Sequence, residues 1–344
     1  MGEFFGVLLP AGFGDFAREY RAARETVALA DLNFLSVLSL GGADRHRYLN
    51  AILTSNVRDL QPGQGAIGLL LNPQGHILAE VETYATPDRI LAACHGQVRE
   101  RTAATLEKFI IMDDVTLEDW SGSYGILALA GPRSTGVVAS LCGVDIGGWL
   151  PLAHAEAAVG AIPCRAIRRD ICGVTGAAFI AERAHLPALW QELARAVRGA
   201  GGTPAGMDAL NSLRLEAGVA WFGYDFDDKR IPHEAGLEHS HISYEKGCYT
   251  GQEIVERVRS RGNVHRRLVG LQFFADTPPA PGTTLTAAGN EAGHVTSAAL
   301  SPRLGRPVGL AYMRSEYLAA GTRLDAAGIV AEPIGLPLTG VAAG

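Results

Sequence analysis

Leu213-Arg214-Leu215-Glu216-Ala217-Gly218, continued by Trp221-Phe222-Gly223-Tyr224-Asp225 and Pro232-His233-Glu234-Ala235-Gly236-Leu237, is the stretch from which the plan of this 344-residue chain unfolds. Just upstream, Thr203 and Pro204 suit the N-cap and first turn of a helix. Leu210, Leu213 and Ala217 mark its buried side, and Gly218 is a natural stop. Glu216 then falls in the last turn, where the helix dipole disfavours a carboxylate by about 0.3 to 1 kcal/mol. At the border of the apolar face it is either a solvated surface acid or an acceptor kept for a ligand with ring N–H groups.

Downstream stands Lys246-Gly247-Cys248-Tyr249-Thr250-Gly251-Gln252-Glu253. Thr250 and Glu253 have capping-box spacing, and Ile254, Val255 and Val258 begin an apolar helical face. Cys248 therefore lies just outside a helix N-terminus, with the charge of Lys246 nearby, and both effects lower a thiol pKa. The plainer alternative is a small buried hydrophobe. Arg257, Arg259, Arg261, His265, Arg266 and Arg267 follow as a solvated helix face and strand, or as a site for phosphate, RNA or a polycarboxylate.

A composition of 47% hydrophobic and 19% charged residues can bury a substantial core, and the length implies two or three domains. The net charge of -6 argues against a surface built to grip nucleic acid. Five cysteines, odd in number and without C-x-x-C pairs, point to a reducing cytoplasm rather than a disulfide framework. Cys94, Cys142, Cys164 and Cys172 read as buried structural residues. His233, His239, His241 and Cys248 match no zinc spacing, so no bound metal is expected. The N-terminus lacks the features of a signal peptide, and no apolar run is long enough for a bilayer.

Periodicity predicts helices over residues 16–30, 97–109 and 185–197, and strands over 34–40 and 124–130. Leu69-Leu70-Leu71, Asn72-Pro73-Gln74-Gly75 and the alternating run from Ile77 to Tyr84 form a hairpin pattern. Residues 264–274, 283–287, 292–300 and 308–313 read as strands between Pro- and Gly-rich turns. The fold class is α+β, with residues 1–263 as one region and 264–344 as a C-terminal β-barrel.

The block from Leu213 to Leu237 resembles the R-x-E-x-G, Y-G-x-D and P-x-E-x-G-L series of the glycine cleavage T-protein, a tetrahydrofolate-dependent aminomethyltransferase. Lys246 to Glu253 is similar to the signature of the YgfZ-type folate-binding proteins, a sister branch that includes iron–sulfur assembly factors. The likeness extends to Glu19-Tyr20, Ala30-Asp31-Leu32, Tyr48 to Thr54, Asn72 to Leu78 and Arg266 to Leu271.

The resemblance implies a three-domain ring around a folate cavity, two interleaved α+β domains followed by the barrel. Glu216 matches the acid that hydrogen-bonds the pterin, Phe222 and Asp225 flank it, Gln252 faces the cavity, and Arg266 stands at its rim toward a polyglutamate tail. The T-protein carries two aspartates after its G-G-I-L; here Gly75-His76-Ile77-Leu78 is followed by Ala79 and Glu80. Loss of that pair argues against aminomethyl transfer.

The expected function is therefore a tetrahydrofolate-binding factor for assembly or repair of iron–sulfur clusters in client enzymes, including tRNA-modifying ones. Cys248 and Lys246 would be its reactive pair, and the protein a monomer. The alternative is a folate-dependent aminomethyl or methyl transferase or demethylase. A third class is a non-enzymatic RNA- or protein-binding factor that uses Arg257 to Arg267.

Overall fold

A computed structural model describes residues 1–262, 264–319 and 321–338. The chain opens on a hairpin, β1 (Gly2–Phe4) and β2 (Val7–Leu9), then α1 (Phe16–Glu25), β3 (Ala28–Asp31), β4 (Leu35–Gly41) and α2 (Arg45–Ile52). Next come β5 (Gly65–Leu71), β6 (Ile77–Ala85), β7 (Ile90–His95), α3 (Arg99–Lys108) and β8 (Thr116–Asp119). A third stretch holds β9 (Tyr124–Ala130), α4 (Ser134–Cys142), β10 (His154–Val159), β11 (Ile162–Arg168), β12 (Gly176–Glu182), α5 (Leu186–Gly199) and β13 (Thr203–Pro204). Helices α6 (Met207–Ala217), α7 (Pro232–Ala235) and α8 (Gln252–Arg261) then lead to the last strands. These are β14 (Arg266–Phe273), β15 (Thr284–Ala287), β16 (Asn290–Ser301), β17 (Arg306–Arg314), β18 (Leu324–Ala326) and β19 (Ile329–Ile334).

The strands form two large sheets and a closed barrel. One sheet runs β10-β11-β12-β9-β3-β13, the other β5-β6-β7-β4-β8, and the barrel β14-β17-β16-β15-β18-β19. Because β3 precedes the whole second sheet in sequence yet pairs with β9, the first two bodies are interleaved. The fold is α+β with a C-terminal barrel, as expected. The barrel's first strand starts at Arg266; the expected boundary residue 263 and the final six residues lie outside the described part of the chain.

Three local expectations are corrected. The first helix stops at Glu25, and residues 28–31 form β3 instead. Val27 and Leu29 pack into one core while Ala28 and Ala30 pack into another, so this strand is apolar on both faces and shows no alternation of polarity. Thr203 and Pro204 do not start α6 but pair in parallel with Ala28 and Leu29. The helix waits until Met207 because the chain first crosses the N-terminal segment so closely that a Cβ on Gly206 would stand 2.3 Å from the Ala11 carbonyl oxygen.

The capping box at Thr250 and Glu253 does not form. Gly251 is the N-cap of α8, with φ of 82° and no side-chain cap, and Glu253 pairs with Arg257 at 2.6 Å. A Cβ on Gly251 would meet the Asn72 carbonyl oxygen at 2.7 Å, so the start of α8 presses on the β5–β6 turn. Among the described residues, no helix is long and apolar enough to cross a membrane.

Candidate functional site

Strand β6 sets the site through its period of two. Ala79 and Val81 point into the core beneath the second sheet, whereas Glu80 and Glu82 project from the opposite face into a cavity of about 430 Å³. His95 at the end of β7, Arg169 after β11, Trp221 after α6 and His241 before α8 complete the polar and aromatic part of its wall. The cavity thus lies where both sheets meet the segments that lead to the barrel.

Glu80 Oε1 lies 2.9 Å from His241 Nε2, and His241 Nδ1 lies 2.7 Å from the Ser240 hydroxyl. An ionised carboxylate can only accept, so Nε2 carries the proton, and on a neutral ring Nδ1 accepts from Ser240. Burial pulls the Glu80 carboxyl upward, but the hydrogen bond from His241 and the charge of the Arg169 guanidinium leave it below its ordinary value. It is an anion at neutral pH, oriented by an imidazole.

Glu82 is occupied differently. Arg169 grips it through Nε at 2.9 Å and Nη2 at 2.6 Å, and the Tyr84 hydroxyl donates to its other oxygen. That fork fixes both side chains and leaves Glu80 as the carboxylate partnered by an imidazole.

His95 is boxed by Phe5 at 5.0 Å, Phe34 at 5.2 Å and Phe222 at 5.6 Å between ring centroids. Burial pushes its pKa down to about 4, so the ring is neutral at pH 7, and its Nδ1 is buried without a partner. Cys172 also lines the cavity, at a left-handed φ of 54°, with burial pushing its thiol up to about 12.

The residues singled out from sequence lie elsewhere. Glu216 is fully buried beside α1 and the barrel, where it accepts from Tyr20 at 2.6 Å, Ser301 at 2.5 Å and the Arg303 N–H at 3.4 Å. Its carboxylate is saturated and does not line the cavity. Asp225 accepts from Arg214, the Trp221 N–H at 2.9 Å, Thr296 at 2.6 Å and Ser297, which makes it a fastener between the α6 region and the barrel. Phe222 lies one layer behind the wall, against His95 and Phe226.

Lys246 donates to the carbonyls of Asn50, Leu53 and Ser55, the last at 2.9 Å, and burial pushes its ammonium down to about 8. Cys248 is exposed and outside the cavity, Gln252 is the half-buried first residue of α8, and Arg266 opens the barrel. None of these seven side chains contributes to the cavity wall. His241 was visible only as one of several closely spaced histidines, and His95, Glu82 and Arg169 carried no local motif.

Residues 1–243 match the family model for the GCVT N-terminal domain, and residues 266–329 that for the glycine cleavage T-protein C-terminal barrel domain. The chain belongs to the glycine cleavage T-protein family. Among relatives of this T-protein family member, the aminomethyltransferase of Rippkaea orientalis is 30% identical, covering 94% of this chain and 88% of the relative. That of Streptomyces coelicolor is also 30% identical, covering 94% and 87%. The crystal structure of glycine cleavage system aminomethyltransferase T from Bartonella henselae superposes with a TM-score of 0.88 at 23% identity, covering 98% of this chain and 93% of that one, a likeness of fold.

These findings overturn the expected iron–sulfur role. The T-protein relatives that match the chain nearly end to end are named aminomethyltransferases. The geometry agrees, since the proposed reactive pair is an exposed thiol and a lysine committed to backbone carbonyls. Nor does the missing aspartate pair exclude transfer, because Ala79 faces the core while Glu80 keeps a carboxylate on the cavity wall.

Proposed function

We propose that this chain is a tetrahydrofolate-dependent transferase of an aminomethyl or related one-carbon group. The observation that carries this reading is Glu80, an ionised carboxylate held by His241 on the wall of the central cavity. The cavity volume is within the usual range for small-molecule sites, roughly 300–1,000 Å³. Phe34 and Trp221 offer apolar surface for a flat ring system, and the unpartnered Nδ1 of His95 is the kind of buried polar atom that a donor–acceptor array satisfies. Bound tetrahydrofolate would supply the nucleophilic nitrogen that takes up the one-carbon unit.

The chain's own residues do the rest. Glu80 balances a cationic amine brought to the cavity and accepts a proton from it, and His241 with Ser240 fixes the direction of that carboxylate. The Arg169–Glu82 fork holds the facing wall rigid. The motif from Lys246 to Glu253 supports membership of the YgfZ-type branch, without that branch's iron–sulfur role. The five free cysteines support a reducing cytoplasm as its compartment.

The test begins with calorimetric titration of the purified protein by tetrahydrofolate, followed by turnover with aminomethylated lipoyl donors, reading methylenetetrahydrofolate and ammonia. Glu80→Gln is expected to keep folate binding and lose about 100-fold or more in kcat, the usual scale for a proton-transfer group. Folate binding without turnover across aminomethyl and methyl donors would rule the transferase out.

A further inference from the structure

A second, smaller cavity of about 230 Å³ lies between the barrel and the loop from α6 to α7. His294 and Tyr312 stand opposite each other in register on β16 and β17, with ring centroids 5.8 Å apart. The Arg230 guanidinium lies over the Tyr312 ring at 3.9 Å. Stacking engages the face of a guanidinium and leaves its in-plane N–H groups pointing outward. Among the described residues, no carboxylate lies within ion-pair reach of Arg230, and its side chain donates no hydrogen bond.

Tyr312 supplies a second, independent sign. It is 1% exposed, it lines this cavity, and its hydroxyl is buried without a partner. A buried hydroxyl left unpaired is costly, which marks a place where a ligand atom belongs. Three carboxylates act on Tyr312, those of Asp225 and Asp227 on the same wall and that of Glu234 beside it, and none forms an ion pair with Arg230. Asp225 is saturated by Arg214, the Trp221 N–H, Thr296 and Ser297. Asp227 accepts the Lys229 N–H at 3.0 Å.

We propose that this cavity is a binding site for a small oxyanion, a carboxylate or phosphate group, gripped by the edge of Arg230 with the Tyr312 hydroxyl as second donor. The space equals roughly seven or eight water volumes, enough for such a group with a short body and too little for a pterin. The site is tied to the central cavity at both ends of the loop. Trp221 lines the larger cavity, and the Arg230 carbonyl accepts the Ile77 N–H at 2.9 Å where β6, the strand of Glu80, begins.

The test is calorimetric titration of the full chain with sodium acetate and, separately, with inorganic phosphate, at ionic strength held constant by chloride. Saturable binding of either supports the site, and the tighter of the two tells carboxylate from phosphate. Arg230→Gln is expected to weaken the anion about tenfold or more, the loss typical of a charge-assisted hydrogen bond. Tyr312→Phe, which keeps the ring, is expected to weaken it several-fold, and thermal melts without anion check that both variants are folded. If Arg230→Gln does not fold, Tyr312→Phe decides alone. Equal affinity in wild type and in the folded variants overturns the proposal, as does no saturable binding up to ~10 mM, where a millimolar site is mostly filled.

Discussion

His95 shows how much of this cavity's chemistry is set by burial alone. Its ring is 4% exposed among Phe5, Phe34 and Phe222, and burial holds its pKa at about 4 against an ordinary value of 6.5. Above pH 6.5 the ring is neutral in both folded and unfolded chains, and no proton is exchanged on folding. As pH falls from 6.5 toward 4, the unfolded chain takes up a proton that the folded protein refuses, so stability is lost across that window and the loss levels off below it. A shift of this size corresponds to about 3 kcal/mol. His154 is also pushed down to about 4, by burial and Arg165, and adds a loss of the same sign. The clean measurement is therefore a difference. Urea unfolding at pH 7 and pH 4.5 is expected to show wild type losing about 2–3 kcal/mol more than His95→Gln. Equal losses would mean that His95 is not the buried neutral group described.

At the scale of elements, Lys246 and strand β6 carry the two lessons. Helix α2 ends in carbonyls without intrahelical partners, and the Lys246 ammonium meets those of Asn50 and Leu53 and also that of Ser55. A cation there also matches the negative end of the helix dipole. Lys246→Met is therefore expected to cost about 2 kcal/mol in urea unfolding, the scale of a buried hydrogen-bonded charge. Cys248→Ser, at an exposed position, should stay within about 0.5 kcal/mol of wild type. The opposite ranking would return the thiol to a structural or reactive role. The motif around Cys248 was legible in sequence as a special segment, but its sense was not, because the three carbonyls that hold Lys246 come from residues nearly two hundred positions earlier. Strand β6 was legible in both respects: the alternation from Ile77 to Tyr84 already says that Ala79 and Glu80 face opposite ways. Strand β3 was not, since burial on both faces removes the alternation that marks a half-exposed strand.

Across the whole molecule, what could be read locally was the set of elements, and what could not was the list of pairs that join them. Glu80 meets His241 across 161 positions, and Tyr20 meets Glu216 across 196. No periodicity encodes such distances. Arg214 and Asp225 are the sharpest case, because both look like ordinary members of a binding motif and both are buried completely as an ion pair. Arg214 stacks over Trp221 at 4.6 Å and donates to Asn211 at 2.8 Å, while Asp225 reaches Thr296 and Ser297 on β16. The pair thereby couples the central-cavity side of the chain to the barrel. A buried ion pair adds little against an apolar substitute, but removing one partner leaves a bare charge in the core, at about 3–5 kcal/mol. Asp225→Asn keeps shape and leaves Arg214 uncompensated, so its unfolding free energy from urea titration should fall by an amount in that range, with Ser297→Ala costing only about 1 kcal/mol. The double change Arg214→Met with Asp225→Leu is expected to be less damaging than Asp225→Asn, because no charge is stranded. An Asp225→Asn protein as stable as wild type would show that this contact does not hold the barrel to the rest of the chain.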